Sequence, residues 1–195
     1  VLDLAETVYD RVTSDLEATP PLPQEIKLYQ DGELFRTSVS LSLSDWENGW
    51  TGPGAAIKLR LLEDEGEGFI QRAAARELTH QLLFAQGLEI DWLHEGVANF
   101  EIARVFPLGA HWVAGQYSSI VQEAIDRHNE FPIYSFPSWE NVSDEQAALF
   151  QAQAWSLVSF IVERHGLPGL RRFVAQSTGF EDTATNLRTA LGVEV

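Results

Sequence analysis

The feature that most constrains the fold is a pair of adjacent helix-forming segments in the middle of the chain. Residues 69–85, "FIQRAAARELTHQLLFA", are rich in strong helix formers, and Gly87 is well placed to end the helix in a left-handed conformation. Asp91 is a suitable N-cap for a second helix from Trp92 to about Val105. Because only a short connection separates the two segments, we expect the helices to pack against each other antiparallel.

Extended segments precede this helix pair. An amphipathic helix is predicted over residues 2–17, and the alternating segment 25–30, "EIKLYQ", predicts a strand. A turn-rich stretch at 48–54 leads into a second strand predicted at 55–62. Residues 37–44, "TSVSLSLS", are expected to form either another strand or an extended loop.

Helices dominate the chain after the pair. A proline-bearing loop is predicted at 129–143, and helical patterns cover four further segments: 112–127, 144–165, 168–176 and 181–191. Strands that cluster before the helices indicate an α+β fold. We therefore predict a single domain over residues 1–195, with a helix and a small mixed sheet in 1–62 and a helical bundle in 63–195.

The charge of the chain excludes several kinds of partner. There are 29 acidic and 13 basic side chains, which give a formal net charge of −16. Such a surface repels phosphate backbones and anionic lipids, so we expect no nucleic acid partner and no membrane contact from this segment. The chain has no cysteine, which excludes disulfides and thiolate metal sites.

Polar residues in the helix pair have the spacing of a zinc site. The sequence R-E-L-T-H at residues 76–80 differs in one position from H-E-x-x-H, in which two histidines on one helical face bind zinc and the glutamate acts as general base. An antiparallel second helix would return Glu95, fifteen residues after His80, toward that face. Arg76 stands at the first ligand position, and a guanidinium has no lone pair for a metal.

Together, "RELTHQLL" and "WLHEGVANF" resemble the gluzincin metallopeptidases, most closely their peptidase-MA-like domains, in which H-E-x-x-H is followed by W-L-x-E-G. Flanking segments such as "EIKLYQDGELFR" are also similar. The resemblance implies a zincin (gluzincin)-like fold, with Glu77 at the position of the general base and His80 and Glu95 at ligand positions. It also implies an extracytoplasmic location, secreted or membrane-tethered, and a chain that begins with Val1 rather than Met is consistent with processing.

Three departures from the family pattern indicate lost catalysis. Arg76 replaces the first ligand, and Asn99 stands where related enzymes often have an acidic residue that orients the missing histidine. No tyrosine occurs at 147–156, where the family often carries an oxyanion donor. We therefore expect a pseudo-peptidase without bound zinc, in which Glu77 is a vestigial base and the cleft binds a peptide or a protein.

Two other functions are consistent with the sequence. One is an active metal-dependent peptidase in which another histidine or a water completes the coordination, and the other is a purely structural or interaction domain. His94 is expected to face away from the site into solvent. Arg76 is expected to pair bidentately with Glu95 rather than point to solvent. The segment 131–139 either lines a cleft or caps the core with buried aromatic rings.

Overall fold

The computed structural model describes residues 2–19, 25–39, 48–61, 67–177 and 183–192. Within these ranges the helices are α1 (Leu2–Leu16), α2 (Gly32–Ser38), α3 (Glu67–Ala85), α4 (Asp91–Val105), α5 (Pro107–Arg127), α6 (Asp144–Gln176) and α7 (Thr183–Leu191). The strands are β1 (Ile26–Tyr29), β2 (Gly49–Trp50) and β3 (Ile57–Arg60). Helices thus form most of the described chain beside a small sheet, and the predicted α+β class is confirmed.

The sheet is mixed, as predicted. Its strand order is β1-β3-β2, with β1 parallel and β2 antiparallel to β3. Along β3, Ile57 and Leu59 are buried whereas Lys58 and Arg60 are partly exposed. This alternation places one face of the sheet against the hydrophobic core, in which Leu78 and other α3 residues lie.

Helix α2 was not predicted. It begins after Asp31, whose carboxylate accepts hydrogen bonds from the backbone N–H groups of Glu33 and Leu34. This N-cap satisfies two donors that a helix start otherwise leaves free, so a helix forms and extends into the first two residues of the segment predicted as extended. The prediction for 37–44 is therefore wrong at Thr37 and Ser38, and residues 40–44 lie outside the described ranges.

The predicted helix pair is confirmed, with one correction at its junction. Gly87 adopts a left-handed conformation (φ 77°) after α3, as expected. Asp91 is not the N-cap of α4, however, because Ile90 has that position and Asp91 is the first helical residue. The Asp91 carboxylate instead accepts the backbone N–H of Trp139 at 2.7 Å, which ties α4 to the loop before α6.

Helix α4 lies at the centre of the bundle, since α1, α3, α5 and α6 all pack against it. Gly96 permits the close approach of α6, because a Cβ atom there would lie 2.5 Å from the Ala154 carbonyl oxygen. The helix therefore buries nearly its whole surface, polar side chains included. None of the described helices combines the length and apolarity that a membrane crossing requires.

Helix α6 and the loop before it complete the core. Gly166 (φ 66°, ψ −179°) kinks α6 where the sequence predicted a break between two helices. In the loop, Phe131, Phe136 and Trp139 pack against the core, and each ring contacts Phe150. The described aromatic residues of 131–139 thus cap the core, which is the second of the two alternatives expected for this segment.

Candidate functional site

Helices α3 and α4 bring together five side chains, which we call the Arg76 cluster: Arg76, Glu77, His80, His94 and Glu95. The Arg76 guanidinium donates to Glu77 Oε1 through Nη1 and to Glu95 Oε1 through Nη2, each at 2.7 Å. His80 Nε2 lies 3.6 Å from the same Glu95 oxygen. The predicted convergence of His80 with Glu95 is therefore found, and so is the predicted Arg76–Glu95 pair.

The geometry of the arginine differs from the expected one. Rather than binding Glu95 bidentately, Arg76 divides its two terminal nitrogens between two carboxylates. Glu77 is 1% exposed and Glu95 7% exposed, while the Arg76 side chain is 19% exposed. Charge-assisted hydrogen bonds of this length are strong, and removing the guanidinium would take a positive charge away from two buried carboxylates. The guanidinium is thus the structural counter-ion of both carboxylates.

His94 does not face solvent, so that prediction is wrong. His94 is 5% exposed, and its imidazole ring stacks on that of His80, with 5.4 Å between the two ring centroids. The Phe84 ring also packs against the His94 ring, with 4.5 Å between the two ring centroids. The expectation assumed that a side chain pointing away from Glu95 would reach solvent. Helix α4 is instead covered on all sides, and none of the residues in its first two turns is exposed.

Hydrogen bonds determine which nitrogen of each histidine carries the proton. The Leu88 carbonyl oxygen lies 2.9 Å from His94 Nε2 and can only accept, so His94 Nε2 is the donor. In a neutral ring His94 Nδ1 then accepts, and it lies 3.2 Å from His80 Nδ1. His80 therefore donates from Nδ1 and presents the lone pair of Nε2 toward Glu95.

Both histidines are held in the neutral form. Burial, the positive charge of Arg76 and the His94 ring together place the pKa of His80 well below its usual value. Burial also lowers the pKa of His94, although the hydrogen bond to Leu88 opposes this change. The two histidines therefore add no positive charge to the Arg76 cluster.

Strand β2 covers Glu77. A Cβ atom at Gly49 would lie 2.7 Å from Glu77 Oε1, so only glycine permits this contact. Gln81, one turn after Glu77, fixes the covering segment by donating to the carbonyl oxygens of Ala55 at 2.6 Å and Gly52 at 3.0 Å. Neither Gly49 nor Gln81 was predicted to belong to the site. The spacing of four residues places Gln81 on the helical face of Glu77 and could have indicated it, whereas no pattern in the sequence links Gly49 to Glu77.

Tyr117 of α5 is a second residue that sequence reasoning missed. Its hydroxyl lies 3.3 Å from Asn99 Oδ1 and 3.3 Å from Gln151 Oε1. Burial and then the Glu95 carboxylate raise the pKa of Tyr117 to about 12, with Arg76 acting in the opposite direction. Asn99, which was expected to be a neutral residue beside the site, is thus in hydrogen-bond contact with Tyr117.

The residues of the Arg76 cluster do not fit a zinc ion. An ion held by His80 and Glu95 would lie about 2 Å from each of them. Arg76 Nη2 already contacts the same Glu95 oxygen, and its fixed positive charge repels a dication. Among the described residues, no three His, Asp or Glu side chains are arranged to hold a metal.

Comparisons of the chain with protein-family models, curated proteins and solved structures found no significant match. The geometry of the Arg76 cluster and the motifs that form it are therefore the basis for assigning a function.

Proposed function

We propose that the protein is a zincin (gluzincin)-like pseudo-peptidase, a metallopeptidase-like domain in which an arginine replaces the metal. The observation that carries this proposal is the Arg76 guanidinium between Glu77 and Glu95, beside His80. These are the positions at which the R-E-L-T-H and W-L-x-E-G motifs place a general base and two metal ligands. A guanidinium at this point neutralises the same carboxylates that a metal would otherwise face.

The state of Glu77 supports the loss of catalysis. A general base needs access to the proton that it removes. Glu77 is bonded to Arg76 and buried beneath Gly49, so its carboxylate is not placed to take a proton from water. We infer that the fold keeps these polar residues for stability, and that any retained activity is binding.

We further propose that the domain keeps a binding cleft beside the Arg76 cluster, and that this cleft binds a peptide or a protein outside the cytoplasm. Support for both points comes from the resemblance of the two motifs to extracytoplasmic peptidase-MA-like domains. The charge of −16 supports a partner that is not a nucleic acid.

The substitution Arg76→His tests the proposal. It places an imidazole one turn before His80, opposite Glu95, and so restores a two-histidine, one-glutamate set. Zinc should then raise the melting temperature of the variant, because a ligand at a hundredfold excess over Kd adds about 2.7 kcal/mol to the folded state. The wild type and the matched control Arg76→Gln should show no zinc-dependent rise. An Arg76→His variant that folds but gains nothing from zinc would show that His80 and Glu95 do not face a common point.

A second candidate function, an active metal-dependent peptidase, is favoured by one distance. Two ligands of a tetrahedral zinc with bonds of about 2.1 Å lie about 3.4 Å apart. His80 Nε2 and Glu95 Oε1 are 3.6 Å apart, so both could bind one ion if Arg76 moved outward. Elemental analysis after dialysis against dilute zinc separates the two functions. A metal-to-protein ratio near one that His80→Ala abolishes supports the enzyme, and a ratio near zero supports the pseudo-peptidase.

A further inference from the structure

A second buried cluster of charged groups lies where α1 meets α4. Glu101 of α4 is 0% exposed, and Asp15 of α1 is 6% exposed. No donor group among the described residues bonds either carboxyl oxygen of Glu101, and its hydrogen bond with the Asp15 side chain requires a proton on one of the two carboxyls. A fully buried carboxylate without a hydrogen bond is costly, whereas a neutral carboxylic acid is much less so.

The neighbouring arginines are bonded to Asp15. Asp15 Oδ2 accepts from Arg11 Nε at 2.8 Å and from Arg104 Nε at 2.7 Å. From α6, Arg171 Nε donates to the Asp15 carbonyl oxygen at 2.8 Å. Burial raises the pKa of Asp15, but the hydrogen bonds and charges of Arg104 and Arg11 outweigh it, so the net change is a decrease. Asp15 is therefore the ionised member of the carboxyl pair.

We propose that Asp15 and Glu101 form a proton-dependent clasp, in which α1 is held against α4 while Glu101 is protonated and is loosened when Glu101 ionises. Ionisation would put two negative charges in one buried space, opposite the exposed Arg11 and the partly exposed Arg104. Helix α1 also buries Val8, Val12 and Leu16, so its loosening would expose apolar surface. The clasp makes the attachment of the first helix sensitive to pH, whether or not the peptidase-like proposal holds.

The surroundings of Glu101 place the ionisation of its carboxyl group near physiological pH. Burial and then the Asp15 carboxylate raise the pKa of Glu101 to about 8, against the opposing charges of Arg104 and Arg11. In the unfolded chain the same carboxyl has a pKa of about 4.5. Between these values the folded state binds more protons than the unfolded state, so stability falls as the pH rises, by up to about tenfold in the folding equilibrium constant per pH unit.

The two histidines of the Arg76 cluster have a smaller, opposite effect in this pH range. His80 and His94 have lowered pKa values in the folded state, so they favour folding as the pH rises, chiefly below about 6.5. Above that value, the remaining titration of their rings in the unfolded chain raises the folding constant by at most about twofold each. Between pH 6.5 and 8, the clasp therefore predicts a net loss of stability, and a variant that lacks the Glu101 carboxyl shows the histidine contribution alone.

The test compares the wild type with Glu101→Gln, which keeps the shape of the side chain but cannot ionise. Urea unfolding from pH 6.5 to 8.5 should show the wild-type folding constant decreasing on the order of tenfold, whereas that of Glu101→Gln should not decrease and should rise by a few-fold at most. Glu163→Gln removes an exposed carboxylate and is the matched control, which should follow the wild type. A Glu101→Gln slope equal to that of the wild type would overturn the clasp.

Hydrogen exchange locates the effect. After correction for the intrinsic pH dependence of exchange, α1 amides of the wild type should lose protection between pH 6.5 and 8.5 more than α7 amides do, and those of Glu101→Gln should not. Equal loss in both helices would contradict a local clasp. Should Glu101→Gln fail to fold, a ¹³C NMR titration of the Glu101 carboxyl in the wild type decides the question: a midpoint near 8 supports the clasp, and a midpoint below 6 overturns it.

Discussion

Arg76 Nη2 donates to Glu95 Oε1 at 2.7 Å across 19 residues of sequence, and this bond joins the two central helices of the protein. The same guanidinium holds Glu77 through its other terminal nitrogen. Arg76, which stands where the pattern H-E-x-x-H has its first histidine, thus supplies a fixed positive charge between two carboxylates. The stability of the helix pair should therefore depend on arginine rather than on metal.

Glu95→Ala should lower the free energy of unfolding by about 2–4 kcal/mol, because it removes one of the buried carboxylates that bond Arg76. Urea unfolding of Arg76→Ala, Glu95→Ala and the double variant should give a coupling energy of at least about 1 kcal/mol. The exposed pair Arg127–Glu123 is the control, and Glu123→Ala should cost less than about 1 kcal/mol. If the effects of the two substitutions on the free energy of unfolding were additive, Arg76 would not be the counter-ion of Glu95.

The purified protein should not cleave casein or mixed peptide libraries, with or without added zinc, because Glu77 is bonded to Arg76 and closed off by β2. Product formation is measured by mass spectrometry, and Glu77→Gln is assayed in parallel to identify contaminating peptidases. Cleavage that a chelator inhibits and that Glu77→Gln lacks would show that the domain is an enzyme.

Gly49→Ala should destabilise the protein by about 1–3 kcal/mol, because the added Cβ would approach the Glu77 carboxylate within 2.7 Å. Gly115→Ala is the matched control, since a Cβ in that exposed helical position meets nothing within 4 Å. It should be neutral or stabilising by up to about 1 kcal/mol. Equal thermal unfolding of the two variants would mean that β2 is not in contact with Glu77.

The histidine pair should make the protein less stable in acid. Since the pKa of His80 is lowered on folding, the unfolded state binds more protons below about pH 6.5, and stability decreases as the pH falls through that value. A single group contributes up to about 1.4 kcal/mol per pH unit. In a Glu101→Gln background, urea unfolding between pH 7 and 5 should give a smaller slope for His80→Gln than for its parent. An unchanged slope would indicate that His80 is charged in the folded protein.

Much of the candidate site could be predicted because it depends on short-range rules. Arg76 and His80 share a helical face at a spacing of four residues, and a short connection after Gly87 returns Glu95 to that face. Long-range partners could not be predicted in the same way. Tyr117 reaches Asn99 from another helix, and Gly49 reaches Glu77 from a strand.

The sequence by itself determined the α+β class, the central helix pair and the Arg76–Glu95 pair, since helical periodicity and turn residues act over a few positions and survive in any packing. Only the tertiary structure decided the environments of His94 and Glu101. Both lie on α4, which neighbouring helices cover on all sides, so polar positions that would face solvent on an ordinary amphipathic helix are buried. Removal from water penalises the charged form of each group. Burial therefore makes His94 a neutral partner of His80 and raises the pKa of Glu101.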